Sequence, residues 1–267
     1  MNSKMDFRGR WVLVTGASSG LGHAMAIQLA RDHGANLILV ARREDRLRQL
    51  QDQLQQDFGV QCQVIAADLS CPEAVERVFS ESTRQDVYAV VLNAGVTHFG
   101  LNADLSWPAF EQLLATNLTS VVRLVNLFVP WLIGRGQHGG ILLVCSMAGL
   151  LPVPYQSAYA GTKAFVTHFG QSLYHELRDQ PVSVTTFCPG GIQTEMTSNS
   201  KLDFFNNTAL VQSAEACARD ALQAFARRDY LRVPGLLNRL QVWGARVLPR
   251  KWIGAIAANA YRKALQQ

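Results

Sequence analysis

The sequence predicts an α/β fold: a doubly wound, mostly parallel sheet with helices on both faces. Three observations carry that prediction. Apolar, β-rich runs alternate with segments of helical period through the first two-thirds of the chain. The runs are apolar almost without interruption, as strands covered on both faces must be. A glycine-rich turn, "TGASSGLG", joins the first run to the first helical segment.

The elements follow in order. "RWVLVTG" reads as the first strand, and a helix is expected from about Ser19 to His33, stopped by Gly34. "ANLILVA" is the second strand. Leu47, Leu50, Leu54 and Phe58 then recur at helical spacing. "CQVIAA" is the third strand, Val75, Val78, Phe79 and Ser82 mark a third helix, and "VYAVVLNAG" is the fourth strand. Two helices are expected next, at about 107–117 and 120–133. The second is apolar on nearly every side, which fits burial all round or a face against a second subunit, and Pro130 should bend it or interrupt its hydrogen bonding. "GILLVCS" is the fifth strand, a helix runs to about Asp179, "VSVTTFCPG" is the sixth strand and "DYLRVPG" a candidate seventh. With no linker or repeat, residues 1–267 read as one domain, carrying a lid at about 195–212 and a tail at about 231–267.

Composition narrows the function. The 267 residues carry 25 Lys and Arg against 20 Asp and Glu, a net +5 spread along the chain, which suits an anionic small molecule and gives no tract for nucleic acid. The five cysteines (62, 71, 145, 188 and 217) are odd in number and lack a C-x-x-C, so free thiols in a reducing compartment are expected, and the histidines lack metal spacing. The polar N-terminus does not read as a secretory signal, and no uncharged apolar run is long enough to span a bilayer. A cytoplasmic protein without a metal is the expectation.

Gly16, Gly20 and Gly22 lie between a strand and a helix, with Ser18, Ser19 and Leu21 among them. Such glycines allow a tight turn and close approach to a pyrophosphate, and a helix start offers free N–H groups. The second strand ends "VARRE", without the acid that would bond a ribose 2′-hydroxyl. Arg42 and Arg43 stand there instead, and forked guanidinium donors suit a 2′-phosphate. NADP(H) is therefore expected ahead of NAD(H), with Arg42 the main contact and Arg43 or Ser18 assisting.

These motifs, with "ADL" at 67–69, "NAG" at 93–95, Asn117, Ser146, Tyr159-x-x-x-Lys163 and "PGGIQT" at 189–194, resemble the short-chain dehydrogenase/reductase family over about Gly9 to Thr194. The resemblance implies a Rossmann-type sheet of seven strands and a homodimer or homotetramer paired through the helices at 120–133 and 157–179. It also implies that Asp68 and Leu69 flank an adenine, that Asn93, Ala94 and Gly95 line the cofactor cleft, and that Pro189, Gly190, Ile192 and Thr194 hold the nicotinamide end.

Tyr159 and Lys163 share a helix face at i and i+4. A free tyrosine titrates near ~10, and a neighbouring ammonium favours the phenolate. Tyr159 is thus expected as the acid in reduction and the base in oxidation, tuned by Lys163. By resemblance Lys163 also bonds the nicotinamide ribose. Ser146, at a strand end facing the ligand crevice, would polarise the substrate oxygen. Asn117 either caps the next helix or, by resemblance, organises a water linking Lys163 to solvent.

The substrate is expected to be a small carbonyl or alcohol, hydrophobic because "MAGLLPVPYQ" after Ser146 is apolar. A reductase of carrier-bound 3-ketoacyl groups and a non-catalytic dinucleotide sensor are the alternatives. The basic, apolar tail packs on the domain or over the pocket in the first reading and meets a membrane in the second. Pro249 argues against one continuous interfacial helix.

Overall fold

The computed structural model describes residues 4–195 and 211–265. Strands β1 (Trp11–Thr15), β2 (Asn36–Ala41), β3 (Cys62–Ala66), β4 (Val87–Leu92), β5 (Gly139–Val144) and β6 (Val182–Phe187) join a short strand at Leu231–Arg232 in one seven-stranded sheet. Every pairing is parallel, in the order β3-β2-β1-β4-β5-β6 and then Leu231–Arg232. The candidate seventh strand is therefore real, but only two residues of it pair, Leu231 with Thr186 and Arg232 with Phe187.

Alternate residues along each strand feed two cores. Val12, Val14, Leu37 and Leu39 pack beneath α1 (Gly20–His33), α2 (Glu44–Phe58) and a later helix at Ala214–Ala226. Leu13, Ile38, Val40 and Val90 pack on the other face against α3 (Pro72–Ser82), α5 (Ser120–Arg135) and α6 (Ser157–Glu176). The period of two in the strands and the apolar stripes of the helices thus meet on both faces. The chain order reverses between β1 and β4, so a crevice opens above their C-terminal ends.

The two helices expected between 107 and 133 form one continuous helical run. α4 (Trp107–Leu114) passes through a π-helical turn, Ala115–Thr119, into α5. By length and composition this run, Trp107–Arg135, is apolar enough to cross a membrane. Its inward residues Leu124, Val125, Phe128 and Leu132 lie in the core. Pro130 does not end α5, which continues to Arg135 and a left-handed Gly136. Pro130 and Asn126 both face solvent, where water can bond the Asn126 carbonyl left without an N–H donor.

Past Ser146 a single 3₁₀ turn precedes α6, which ends at Glu176, three residues before the expected Asp179. Two-residue strands β7 (Gly191–Ile192) and β8 (Val211–Gln212) pair with each other. The expected lid at 195–212 is described only at Glu195, Val211 and Gln212; residues 196–210 lie outside the described residues. After α7 (Ala214–Ala226) and β9 (Leu231–Arg232), the tail forms α8 (Leu236–Val247) and α9 (Arg250–Leu265), divided at Leu248 and Pro249. All five cysteines are free thiols.

Candidate active site

The crevice above β1 and β4 is held by Thr15. Its hydroxyl donates to the Val91 carbonyl (3.2 Å) and accepts from the N–H groups of Asn93 (2.9 Å) and Ala94 (3.0 Å). The Asn93 amide returns a bond to the Thr15 carbonyl (3.0 Å). These bonds fix the loop at 93–95 beside the glycine turn.

The glycine turn needs its glycines for separate reasons. Gly16 and Gly20 have φ of +68° and +57°, in the left-handed region that side chains disfavour. A Cβ on Gly22 would stand 2.3 Å from the Gly16 carbonyl oxygen and 2.5 Å from Asn93 Nδ2. Only a bare backbone fits, and the start of α1 has no acid in its first turn to compete with an anion. This is a cradle of the shape and polarity that a pyrophosphate requires.

Arg42 and Arg43 follow β2 at the rim. Arg43 folds back over the turn, donating to Ser19 Oγ (2.7 Å) and Ser18 Oγ (3.1 Å). It also bonds Glu195 (2.8 Å), which Arg46 grips from the other side. The Arg43 and Arg46 hydrogen bonds hold the Glu195 carboxyl down at about 2. Arg42 is exposed beside Asp68. Burial pushes the Asp68 carboxyl up, but the Ser70 N–H and hydroxyl and the Arg42 charge outweigh it and hold the pKa below its usual value.

Ser146 follows β5, its Oγ accepting from the Ala148 N–H (3.1 Å). Tyr159 and Lys163 project from the first turns of α6, with the ammonium 5.8 Å from the phenol ring centroid. Lys163 is buried and donates to the Val144 carbonyl (3.1 Å), which ties α6 to the end of β5. Asn117 is completely buried in the π-helical turn. Its Oδ1 accepts from the Val96 N–H (2.8 Å), and its Nδ2 donates to the Val96 carbonyl (2.8 Å) and to Thr162 Oγ1 (3.3 Å). A Cβ on Gly95 would lie 3.3 Å from Asn117 Oδ1 and 3.5 Å from Lys163 Nζ, so these three groups converge.

One cavity of about 810 Å³ contains nearly every residue singled out from the sequence. Gly16, Ser18, Ser19, Gly20, Leu21, Arg42, Arg43, Asp68 and Leu69 line one end. Asn93, Ala94, Gly95, Ser146, Tyr159, Lys163, Pro189, Gly190, Ile192 and Thr194 line the rest. Gly22 and Asn117 do not line it: Gly22 packs behind the turn and Asn117 behind Gly95. Thr194 packs against the turn, its methyl 3.0 Å from where a Gly20 Cβ would stand.

Sequence reasoning missed several wall residues. Gln156 donates to Thr97 Oγ1 (3.0 Å) and accepts from the Tyr261 hydroxyl (3.0 Å), tying α9 to the cavity. Burial, then the nearby Tyr159 phenol, pushes the Tyr261 hydroxyl up to about 12. Asn238 on α8 is buried against Gly190 and bonds the Pro234 carbonyl (3.0 Å). Ile253, Ala257 and Tyr261 recur at spacing four in the tail expected to pack on the domain or over the pocket, and they form part of the cavity wall.

Residues 10–203 match the model of the short chain dehydrogenase family. The chain belongs to that family. It is accordingly an oxidoreductase that interconverts C=O and CH–OH groups with a nicotinamide cofactor. Mouse very-long-chain 3-oxoacyl-CoA reductase is 30% identical over 212 residues, covering 77% of this chain and 67% of that protein. Rat 17-beta-hydroxysteroid dehydrogenase type 3 is 27% identical over 221 residues, covering 80% and 69%. Among solved structures, a short-chain dehydrogenase from Sphingobium yanoikuyae in complex with NADPH is 31% identical, with a TM-score of 0.80 over 89% of this chain and 93% of that one.

Proposed function

We propose that this short-chain dehydrogenase is an NADP(H)-dependent reductase of bulky, apolar ketones, also working in reverse on the matching secondary alcohols. One observation carries the reading: Tyr159, Lys163 and Ser146 share a cavity whose far rim holds Arg42 and Arg43 and whose free wall is mainly apolar, from Leu151, Pro152, Val153, Ile253 and Ala257. Pro189, Gly190, Ile192 and Thr194 would hold a nicotinamide, which would supply the hydride for the carbonyl carbon.

The protein's own groups handle the oxygen. Ser146 donates a hydrogen bond to it and Tyr159 gives it the phenolic proton, leaving a phenolate that the Lys163 ammonium stabilises. Burial of Lys163 strengthens that effect, because a charge in a low dielectric acts over a longer range. Asn117 positions Gly95 and Val96 and so keeps Lys163 in register. At the other end, Arg42 would take the 2′-phosphate, and Arg43, held against Ser18 and Ser19, would assist. The outer faces of α5 and α6, where Phe165 is exposed and stacks on Phe169, serve pairing of subunits in the cytoplasm.

A 3-oxoacyl thioester is the second reading, favoured by the similarity to a very-long-chain 3-oxoacyl-CoA reductase. A panel of steroid ketones, aryl ketones and 3-oxoacyl-CoA esters, followed as NADPH consumption at 340 nm, separates the two. Tyr159→Phe should keep NADPH binding and lose at least a thousandfold in kcat. Tight NADPH binding with no turnover on any substrate would leave a dinucleotide sensor, and wild-type rates in Tyr159→Phe would remove the phenol from the mechanism.

A further inference from the structure

We propose that the C-terminal helix pair docks this protein on an anionic lipid surface. The two helices turn their apolar faces outward. On α8, Leu236, Leu240, Trp243 and Val247 follow one another at steps of four, three and four, one face of a helix, and all are exposed. On α9, Trp252 and Ile256 do the same. Trp243, Trp252 and Ile256 are 66%, 62% and 66% exposed, and large apolar side chains repeat this way on a protein surface where a partner or membrane covers them. The opposite faces are committed to the cavity, through Asn238 on α8 and Tyr261 on α9.

Charge selects the partner. Residues 236–265 contain six Lys and Arg and no Asp or Glu. The rest of the chain carries 19 Lys and Arg against 20 Asp and Glu, so the whole net positive charge resides in this segment. A symmetric contact with a second copy would set two such segments face to face and repel. An anionic bilayer attracts them, while exposed tryptophans favour the headgroup layer and aliphatic side chains the acyl boundary. The break at Leu248 and Pro249 gives two short helices that lie on the surface rather than cross it. The docking surface stands without the ketone reductase reading; a lipophilic substrate reaching the cavity through it rests on that reading.

Vesicle binding tests this without any turnover measurement. The 267-residue protein is mixed with vesicles of phosphatidylcholine alone or with roughly 30% phosphatidylglycerol, and partition is read by co-sedimentation and by quenching of tryptophan with brominated acyl chains. We expect at least tenfold stronger partition onto the anionic vesicles, weakened by salt. Trp243→Glu with Trp252→Glu should remove it while far-UV circular dichroism and the thermal transition stay unchanged. Should that pair fold poorly, Val247→Gln with Ile256→Gln, expected to cut partition fivefold or more, replaces it. Failure of the wild type to bind either vesicle, or undiminished binding by a folded variant, overturns the proposal. So does a wild-type dimer, seen by light scattering, that the variant dissolves while vesicles go unbound.

Discussion

Replacing Asn117 by alanine removes both bonds that hold Val96. The Val96 N–H and carbonyl each lose a partner at 2.8 Å, and Thr162 loses a weaker one at 3.3 Å. A fully buried group left without a partner costs about 1–3 kcal/mol. Val96 is only half-buried, so water reaches part of what the amide vacates and the low end applies, about 1 kcal/mol per backbone group. The total is about 2 kcal/mol. Unfolding entropy of about 2.1 cal/mol/K per residue, over 267 residues, converts that into a fall in Tm of about 4 °C. Differential scanning calorimetry at neutral pH measures it, with Gln53→Ala, an exposed residue on α2, as the unaffected control. Because Gly95 and Lys163 adjoin Asn117, kcat should fall roughly a hundredfold as well. A transition within 1 °C of wild type would refute the claim that this amide holds the cleft loop.

Two further substitutions probe the ends of the cavity. Arg42→Ala should weaken NADPH roughly tenfold or more and leave NADH within twofold, measured by fluorescence titration; equal losses would mean that Arg42 meets no 2′-phosphate. Tyr261→Phe tests which phenol titrates. The folded protein holds Tyr261 protonated to about 12, whereas the unfolded chain ionises it near ~10. Alkali therefore favours the unfolded state, so this group leaves stability intact below about pH 10 and erodes it between about 10 and 12. Tyr261→Phe should therefore lose less stability than wild type in that window, and should leave the kcat–pH profile between about pH 6 and 9 in place. A displaced profile would make Tyr261 part of the proton transfer.

The parts of the site legible in the sequence are those whose chemistry is local. Tyr159 and Lys163 meet because they are four apart on a helix, and the glycine turn is readable because it joins one strand to the next helix. The sheet was legible for the same reason, as was the division of the tail at Pro249, since proline's missing donor acts on its own segment. Asn117 was legible only through the family's pattern. A π-helical turn depends on one extra residue in a helical run, and no composition marks it. The Arg43–Glu195 clamp joins residues 152 positions apart, and nothing in either neighbourhood announces the other.

The tail shows why packing and membrane contact looked like rival readings. Periodicity finds an apolar stripe but not which side the protein occupies. Here Ile253 and Ala257 form one stripe on α9 and Trp252 and Ile256 another, one residue out of phase. A helix with two apolar stripes satisfies the cavity with one and leaves the other for a second environment. The segment's lack of any acidic residue then weighs on the outward side alone, because the cavity wall it forms is built from Asn238, Gln241, Ile253, Ala257 and Tyr261, none of them charged. Closing the pocket and meeting a lipid surface are therefore tasks for different faces of the same two helices.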